Sequence, residues 1–246
     1  MNPTRTATWT GPDLEYPETD GLPMAENTTQ FRWIVTIKEG VEELFRDRGD
    51  VFVAGDLFWY PVLGAPKVVQ APDTLVVFGR PPGDRRSYKQ WEEDGIAPQV
   101  VFEVLSPGNT AGEMRGKWEF YNRHGVEEYY IYDPDNNVLE GWLRGQPDLE
   151  PIAEMSGWTS PRLGLRFLWD HEGLNLVRPD GRSLETYREV CIRADEERQR
   201  ADEERRRADE AERQIADALR RSEEDQREVA RLRDQLRALG IDPSGP

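Results

Sequence analysis

Two apolar runs separated by a sharp break and a capped helical pattern constrain the fold more than any other feature. Residues 99–105 read Gln-Val-Val-Phe-Glu-Val-Leu, and residues 128–133 read Glu-Tyr-Tyr-Ile-Tyr-Asp. Both have strand length and are rich in β-branched and aromatic side chains. Ser106-Pro107-Gly108 stops the first run, and Thr110 and Glu113 stand at capping-box spacing for a helix running to about Arg123, closed by Gly125. Upstream, Phe31, Ile34, Val35, Val41, Leu44 and Phe45 form one stripe at helical spacing, predicting a helix from Thr28 or Thr29 to about Arg48. Strands are expected at 51–60 and 73–78, with 67–70 extending the sheet and 79–95 a loop. Further strands are expected at 138–143, 149–155 and 165–169. Helices interleaved with strands predict an α/β fold, a mixed sheet flanked by helices, rather than a sandwich or a bundle.

Downstream the pattern changes abruptly. From Arg193 to Pro246 stand 13 Arg and 16 acidic residues and no aromatic, whereas every Trp, Tyr and Phe lies earlier. Ala194, Ala201, Ala208, Ile215, Ser222, Val229 and Leu236 recur by sevens, with Ala211, Ala218, Leu232 and Leu239 three after their partners. That a/d seam predicts a long C-terminal helix that self-associates as a coiled coil, its apolar knobs concentrated after Ala208; the alternative is a solvated single helix held by i,i+4 pairs such as Glu203–Arg207 and Asp209–Arg213. The expected layout is a flexible arm at 1–26, a globular domain at 27–182, a helical tail at 183–240 and a disordered end at 241–246.

Charge and cysteine content exclude several functions. The chain carries a formal −16, which opposes bulk electrostatic adhesion to nucleic acid or anionic membrane while leaving room for a local or metal-bridged phosphate contact. No run approaches the ~18 apolar residues of a membrane helix, and the start has no apolar signal-peptide core. With Cys191 as the only cysteine, no disulfide forms within the chain, and a cytoplasmic location is expected. Two histidines, His124 and His171, do not make a Cys/His zinc site.

Three charges stand where apolar residues belong. Glu103 lies inside the run 99–105, Asp73 follows Pro72 at the head of an apolar strand, and Lys117 shares a helix face with Met114, Trp118 and Tyr121. A lone ionised carboxylate in such a strand costs several kcal/mol unless it is paired or binds a metal, roughly as any buried charge does. Taken singly, each has an ordinary explanation: a strand-start turn acceptor, an edge-strand charge, a stem covering the core. Together, two carboxylates on strands and a Lys on the following helix are a hydrolytic set. Hard oxygen ligands suit Mg²⁺ or Mn²⁺, which can activate water at a phosphoryl centre while an ammonium faces the developing charge. Only positions 38, 67, 89 and 117 are Lys, against 28 Arg, so a retained Lys is notable.

The series Pro72-Asp73, Glu103-Val104-Leu105-Ser106-Pro107, Lys117, Tyr121, Gly125 to Tyr129 and Asp133-Pro134 resembles the Uma-two family of bacterial restriction endonuclease-like proteins, a branch of the PD-(D/E)XK nuclease superfamily. The resemblance covers about residues 27–170 and is most specific over 100–134. It implies a restriction-endonuclease-like core and a Mg²⁺- or Mn²⁺-dependent endonuclease acting on DNA. Asp73 and Glu103 would be the metal carboxylates, and Asp73, Glu103 and Lys117 the catalytic set. The superfamily's Lys falls two positions after the acidic residue, where this chain has Leu105, so the resemblance assigns the ammonium to Lys117. Supporting candidates are Glu42 on the first helix, where Glu43 is equally placed, together with Asp56 and Tyr121. The basic loop residues Arg80, Arg85, Arg86 and Lys89 are candidates for nucleic-acid contact. The expected partners are DNA and a second copy of the chain joined through the tail. The alternative is a catalytically inactive nuclease fold that acts as a binding or scaffold module through that tail.

Overall fold

A computed structural model describes residues 15–19, 21 and 23–240 of the 246-residue chain. It divides into two compact units at Tyr187–Arg188. In the first, α1 (Thr28–Leu44) opens the fold, its first turn capped by the Asn27 side chain, which accepts from the Gln30 N–H at 2.8 Å. It buries Ile34, Ile37 and Val41 on one stripe. The chain continues through β1 (Val51–Ala54), β2 (Trp59–Tyr60), β3 (Thr74–Phe78), β4 (Tyr88–Lys89) and a 3₁₀ turn (Gln90–Glu92) to β5 (Val100–Val104). α2 (Ala111–Arg123) follows with its full capping box between Thr110 and Glu113. Then come β6 (Glu128–Asp133), β7 (Val138–Arg144), β8 (Leu149–Pro151), β9 (Arg166–Asp170) and β10 (Gly173–Val177).

Six strands make one mixed sheet in the order β1-β3-β5-β6-β7-β8. Only β5 and β6, joined through α2, run parallel; every other neighbouring pair is antiparallel. Side chains alternate across the sheet. On one face Val76, Val100, Phe102 and Val104 pack with α1 and with β9 and β10. On the other Leu75, Val77, Val101, Tyr129 and Ile131 pack with Tyr121 of α2. A sheet covered on both faces explains why 100–105, apart from Glu103, is apolar on both sides rather than alternating. Glu103, between Phe102 and Val104, therefore turns toward α2.

Several expectations need correction. The single strand at 51–60 is two, because Gly55-Asp56 breaks it; Asp56 has φ +49° and its N–H bonds Pro72 O at 3.0 Å. Residues 67–70 contribute only the bridge between Trp59 and Gln70. The 79–95 loop contains β4 and the 3₁₀ turn, and β10 lies beyond the strands expected from sequence. α1 stops four residues short of Arg48. Within the stretch 1–26, Tyr16 packs edge-on against Tyr60, Pro17 O accepts from Tyr60 OH, and Glu18 pairs with Arg86; residues 1–14 and 241–246 lie outside the described ones. Ser183 and Leu184 still bond to β10. The second unit, from Arg188, is built on α3 (Tyr187–Ala238), a 52-residue helix with no buried residue. Among the described residues, no helix is long and apolar enough to cross a membrane.

Candidate active site

The pairing of β3 with β5, Thr74 opposite Phe102 and Leu75 opposite Val101, brings Asp73 beside Glu103 at the end of the ladder. The Val104 N–H donates to Asp73 Oδ2 at 2.6 Å, locking the strand end to that carboxylate. Asp73 Oδ1 takes no hydrogen bond among the described residues. Glu103 is only 2% exposed. Its Oε2 accepts from Lys117 Nζ at 2.7 Å and its Oε1 from the Tyr121 hydroxyl at 2.5 Å. Lys117 and Tyr121 are four residues apart, so one face of α2 delivers both donors to the same carboxylate. Tyr121 is fully buried, wedged against Tyr129 and Trp59, and so has a fixed hydroxyl.

The electrostatics follow from that packing. Burial first, and then the neighbouring Glu103 charge, push the Asp73 carboxyl well above the ordinary carboxylate range, against the pull of Lys117 and the Val104 N–H. Burial also works against the Lys117 ammonium, yet Glu103 and Asp73 outweigh it and hold its pKa above the usual lysine value. Lys117 is therefore a cation at neutral pH. Burial, then the Glu103 charge, raises the Tyr121 hydroxyl well above its ordinary value, so it remains a proton donor.

The donor set fits a hard divalent ion. Two adjacent carboxylates, one with a free oxygen and both subject to mutual repulsion, match the way Mg²⁺ is held by one or two carboxylates, waters and substrate phosphate. Among the described residues, no group of three or more His, Cys, Asp or Glu is placed to hold a metal ion, so an ion here would rest on two carboxylates completed by other oxygens. The Val104 carbonyl is the adjacent main-chain oxygen; it accepts one hydrogen bond, from Gln30 Nε2 at 2.9 Å, and retains a second lone pair.

Other sequence candidates lie elsewhere or are differently engaged. Glu42 pairs with Lys38 at 2.5 Å, and Glu43 with Arg46, along a cleft of about 590 Å³ that α1 and β1 line without Asp73, Glu103 or Lys117. Asp56 is exposed, and its charge is among those that raise the Asp73 pKa. The basic loop is not a free cationic patch. Arg80 and Arg85 clamp Glu93, and Arg85 also lies over the Phe52 ring at 3.8 Å. Lys89 stands 3.7 Å from Glu92. Arg86 alone of the four is strongly exposed, at 85%, and it meets Glu18. A second buried carboxylate, Glu128, accepts from Tyr130 OH, Ser160 Oγ and Arg162 N–H and closes the 160–163 turn onto β6.

Sequence inspection missed Glu26 and Gln30. Glu26 Oε2 accepts from Ser106 Oγ at 2.6 Å and from Gly108 N at 3.1 Å, and Gln30 reaches Val104. The one available signal was Gln30 itself, a polar residue four before Ile34 on the buried stripe.

The family whose model matches the chain is Uma2, described as "Putative restriction endonuclease", and the match spans residues 20–171. A solved structure described as "a putative nuclease belonging to DUF820", from Anabaena variabilis ATCC 29413, is 16% identical, covering 58% of this chain and 76% of its own at a TM-score of 0.43. No curated protein matches the chain at a significant level. With the matched segment taking in more than half of the sequence and all of Asp73, Glu103, Lys117 and Tyr121, the chain belongs to the Uma2 family.

Proposed function

We propose that the chain is a Mg²⁺- or Mn²⁺-dependent endonuclease that hydrolyses phosphodiester bonds of DNA. The globular domain, 27–182, would carry the site, and the tail, 183–240, would join two copies as a coiled coil. The observation that carries the proposal is the Lys117–Glu103 contact at 2.7 Å with Asp73 on the neighbouring strand. Lysine at that point is an ammonium supplied from a helix, in place of the superfamily position that Leu105 occupies.

Asp73 and Glu103 would hold the ion, with the Val104 carbonyl as the adjacent main-chain oxygen. Bound there, the ion supplies charge to lower the pKa of water and to offset the phosphoryl oxygens. Lys117 remains protonated and faces the negative charge that grows on the phosphoryl group in the transition state. Tyr121 keeps Glu103 in one rotamer and, with its raised pKa, adds no charge of its own.

The test is cleavage of plasmid and linear DNA in Mg²⁺ or Mn²⁺ by the full chain, beside Asp73→Ala, Glu103→Gln and Lys117→Ala. Loss of about 10² or more in rate in each variant is expected for groups acting together at one centre. Undiminished cleavage in the variants would refute the site. One feature favours the second reading, an inactive scaffold: both Glu103 oxygens already carry protein donors. Absence of metal-dependent cleavage of any DNA or RNA by the wild-type chain would favour that reading.

A further inference from the structure

Both main-chain polar groups of Val104, the residue after Glu103, are held by side chains from other elements. Its N–H donates to Asp73, and its carbonyl accepts from Gln30 Nε2 at 2.9 Å, across 74 positions of sequence. Gln30 is 6% exposed. Its Oε1 accepts from the Glu26 N–H at 2.8 Å and its own N–H caps onto Asn27, so the carboxamide has one orientation. Flipping that amide would set Oε1 against the Val104 carbonyl and the NH₂ against the Glu26 N–H, losing both bonds.

Glu26, one turn earlier, grips the far side of the same strand end. Its carboxylate takes the Ser106 hydroxyl and the Gly108 N–H, and it lies so close over Gly108 that a Cβ there would collide with it. The turn so held leads directly into Thr110, the N-cap of α2, the helix that carries Lys117. The entry to α1 thus touches the chain on both sides of Leu105, between the carboxylate-bearing strand and the ammonium-bearing helix.

Resting on the metal-dependent function proposed above, we propose that Gln30 is a positioning residue for the metal carboxylates, acting through Val104, with Glu26 fixing the turn that launches α2. A buried amide serving only to close a helix entry would lower stability when replaced and do nothing more. A positioning amide also sets ion affinity, because residues that orient metal ligands typically change it about 10- to 100-fold when mutated.

Mn²⁺ titration of the full chain by calorimetry, with urea denaturation followed in parallel, separates the two roles. Gln30→Met removes the donor and should weaken Mn²⁺ binding about tenfold. Gln30→Asn keeps an amide but withdraws it from the Val104 carbonyl, and it should weaken Mn²⁺ binding to a similar degree. Gly108→Ala should displace Glu26 and slow cleavage with a smaller loss of Mn²⁺ affinity, since it leaves Val104 held. The inference is overturned if Gln30→Met or Gln30→Asn, folded by urea denaturation, binds Mn²⁺ as wild type does. A wild-type chain that takes up no Mn²⁺ would instead sink the metal-dependent function itself, and this inference with it.

Discussion

The Lys117–Glu103 pair carries enough energy for its removal to be read directly as stability. Glu103 is 2% exposed and Lys117 22% exposed by side chain, so the carboxylate is desolvated and the ammonium mostly so. Removing one member of a buried pair costs about 3–5 kcal/mol, because the partner is left charged and unpaired. Lys117→Met keeps the stem and deletes the charge, leaving Glu103 with the Tyr121 hydroxyl alone and Asp73 without its nearby cation. Discounted for the partial exposure of Lys117, a loss of about 2–3 kcal/mol is expected. Glu103→Gln should cost less, about 1–2 kcal/mol, since the ammonium retains Asp73 and Glu113 and can lean toward water. The double variant should lie well short of the sum, with a coupling of about 1.5 kcal/mol or more. Tryptophan fluorescence in urea is the assay of choice, because all eight tryptophans precede the tail and melting of α3 stays silent. Effects that add to within about 0.5 kcal/mol would show that the contact carries no energy and would remove the physical basis of the site.

Asp73→Asn should stabilise the domain while abolishing cleavage. The folded pKa of Asp73 lies above its unfolded value, so ionisation at neutral pH costs stability that is recovered as the pH falls through the folded pKa toward ~4. The gain, of about 0.5–2 kcal/mol at pH ~7, should vanish in urea melts at pH ~3.5; an Asn variant less stable at neutral pH would contradict the assignment. Arg85→Ala should lower stability by about 1–2 kcal/mol, through loss of Glu93 and the Phe52 ring. Arg86→Ala should leave the urea midpoint unchanged and, if this loop meets the phosphate backbone, reduce the salt slope of DNA affinity by about one. In the tail, Leu232→Asp with Leu236→Asp should convert a self-associating chain to a monomer in sedimentation velocity; a wild-type chain already monomeric at high concentration would defeat the coiled-coil proposal.

The legible parts of the fold were those fixed by local chemistry. The capping box at Thr110 and Glu113, the apolar run at 100–104 and the stripe of α1 each depend on a few neighbouring residues, and each element formed close to where those residues place it. The break at Gly55-Asp56 was not legible, because the apolar run VFVA continues by composition into LFWY and only the bond from Asp56 N to Pro72 O turns the chain. β4 is two residues long and exists by pairing with β2, a contact no local pattern announces. In the site, Glu103 and Lys117 drew attention because each is a charge on an apolar face. Glu26 drew none, since an exposed glutamate before a helix is ordinary and its partners lie eighty positions away. The basic loop looked like an anion contact because sequence shows the arginines but not that Glu93 lies between two of them.

Under the proposed function, an acidic chain must take up a polyanionic substrate. With both carboxylates in the ionised form that binds a metal, Asp73, Glu103 and Lys117 carry formal charges that sum to one net negative, within a chain of formal charge −16, so on its own the site repels a phosphodiester. At physiological salt, charges more than about 8 Å apart are largely screened, and the local sum decides whether a phosphate enters. Two positive charges delivered to the carboxylate pair reverse that local sign. Under the proposed chemistry, DNA and the ion must therefore bind with positive coupling, and the coupling must be mutual. Mn²⁺ should bind the wild-type chain more tightly when a short DNA duplex is present, by the same factor by which Mn²⁺ tightens the duplex. Lys117→Met, which makes the site still more negative, should weaken duplex affinity measured without metal and enlarge that factor. Equal Mn²⁺ affinity with and without DNA would mean that the nucleic acid does not reach Asp73 and Glu103.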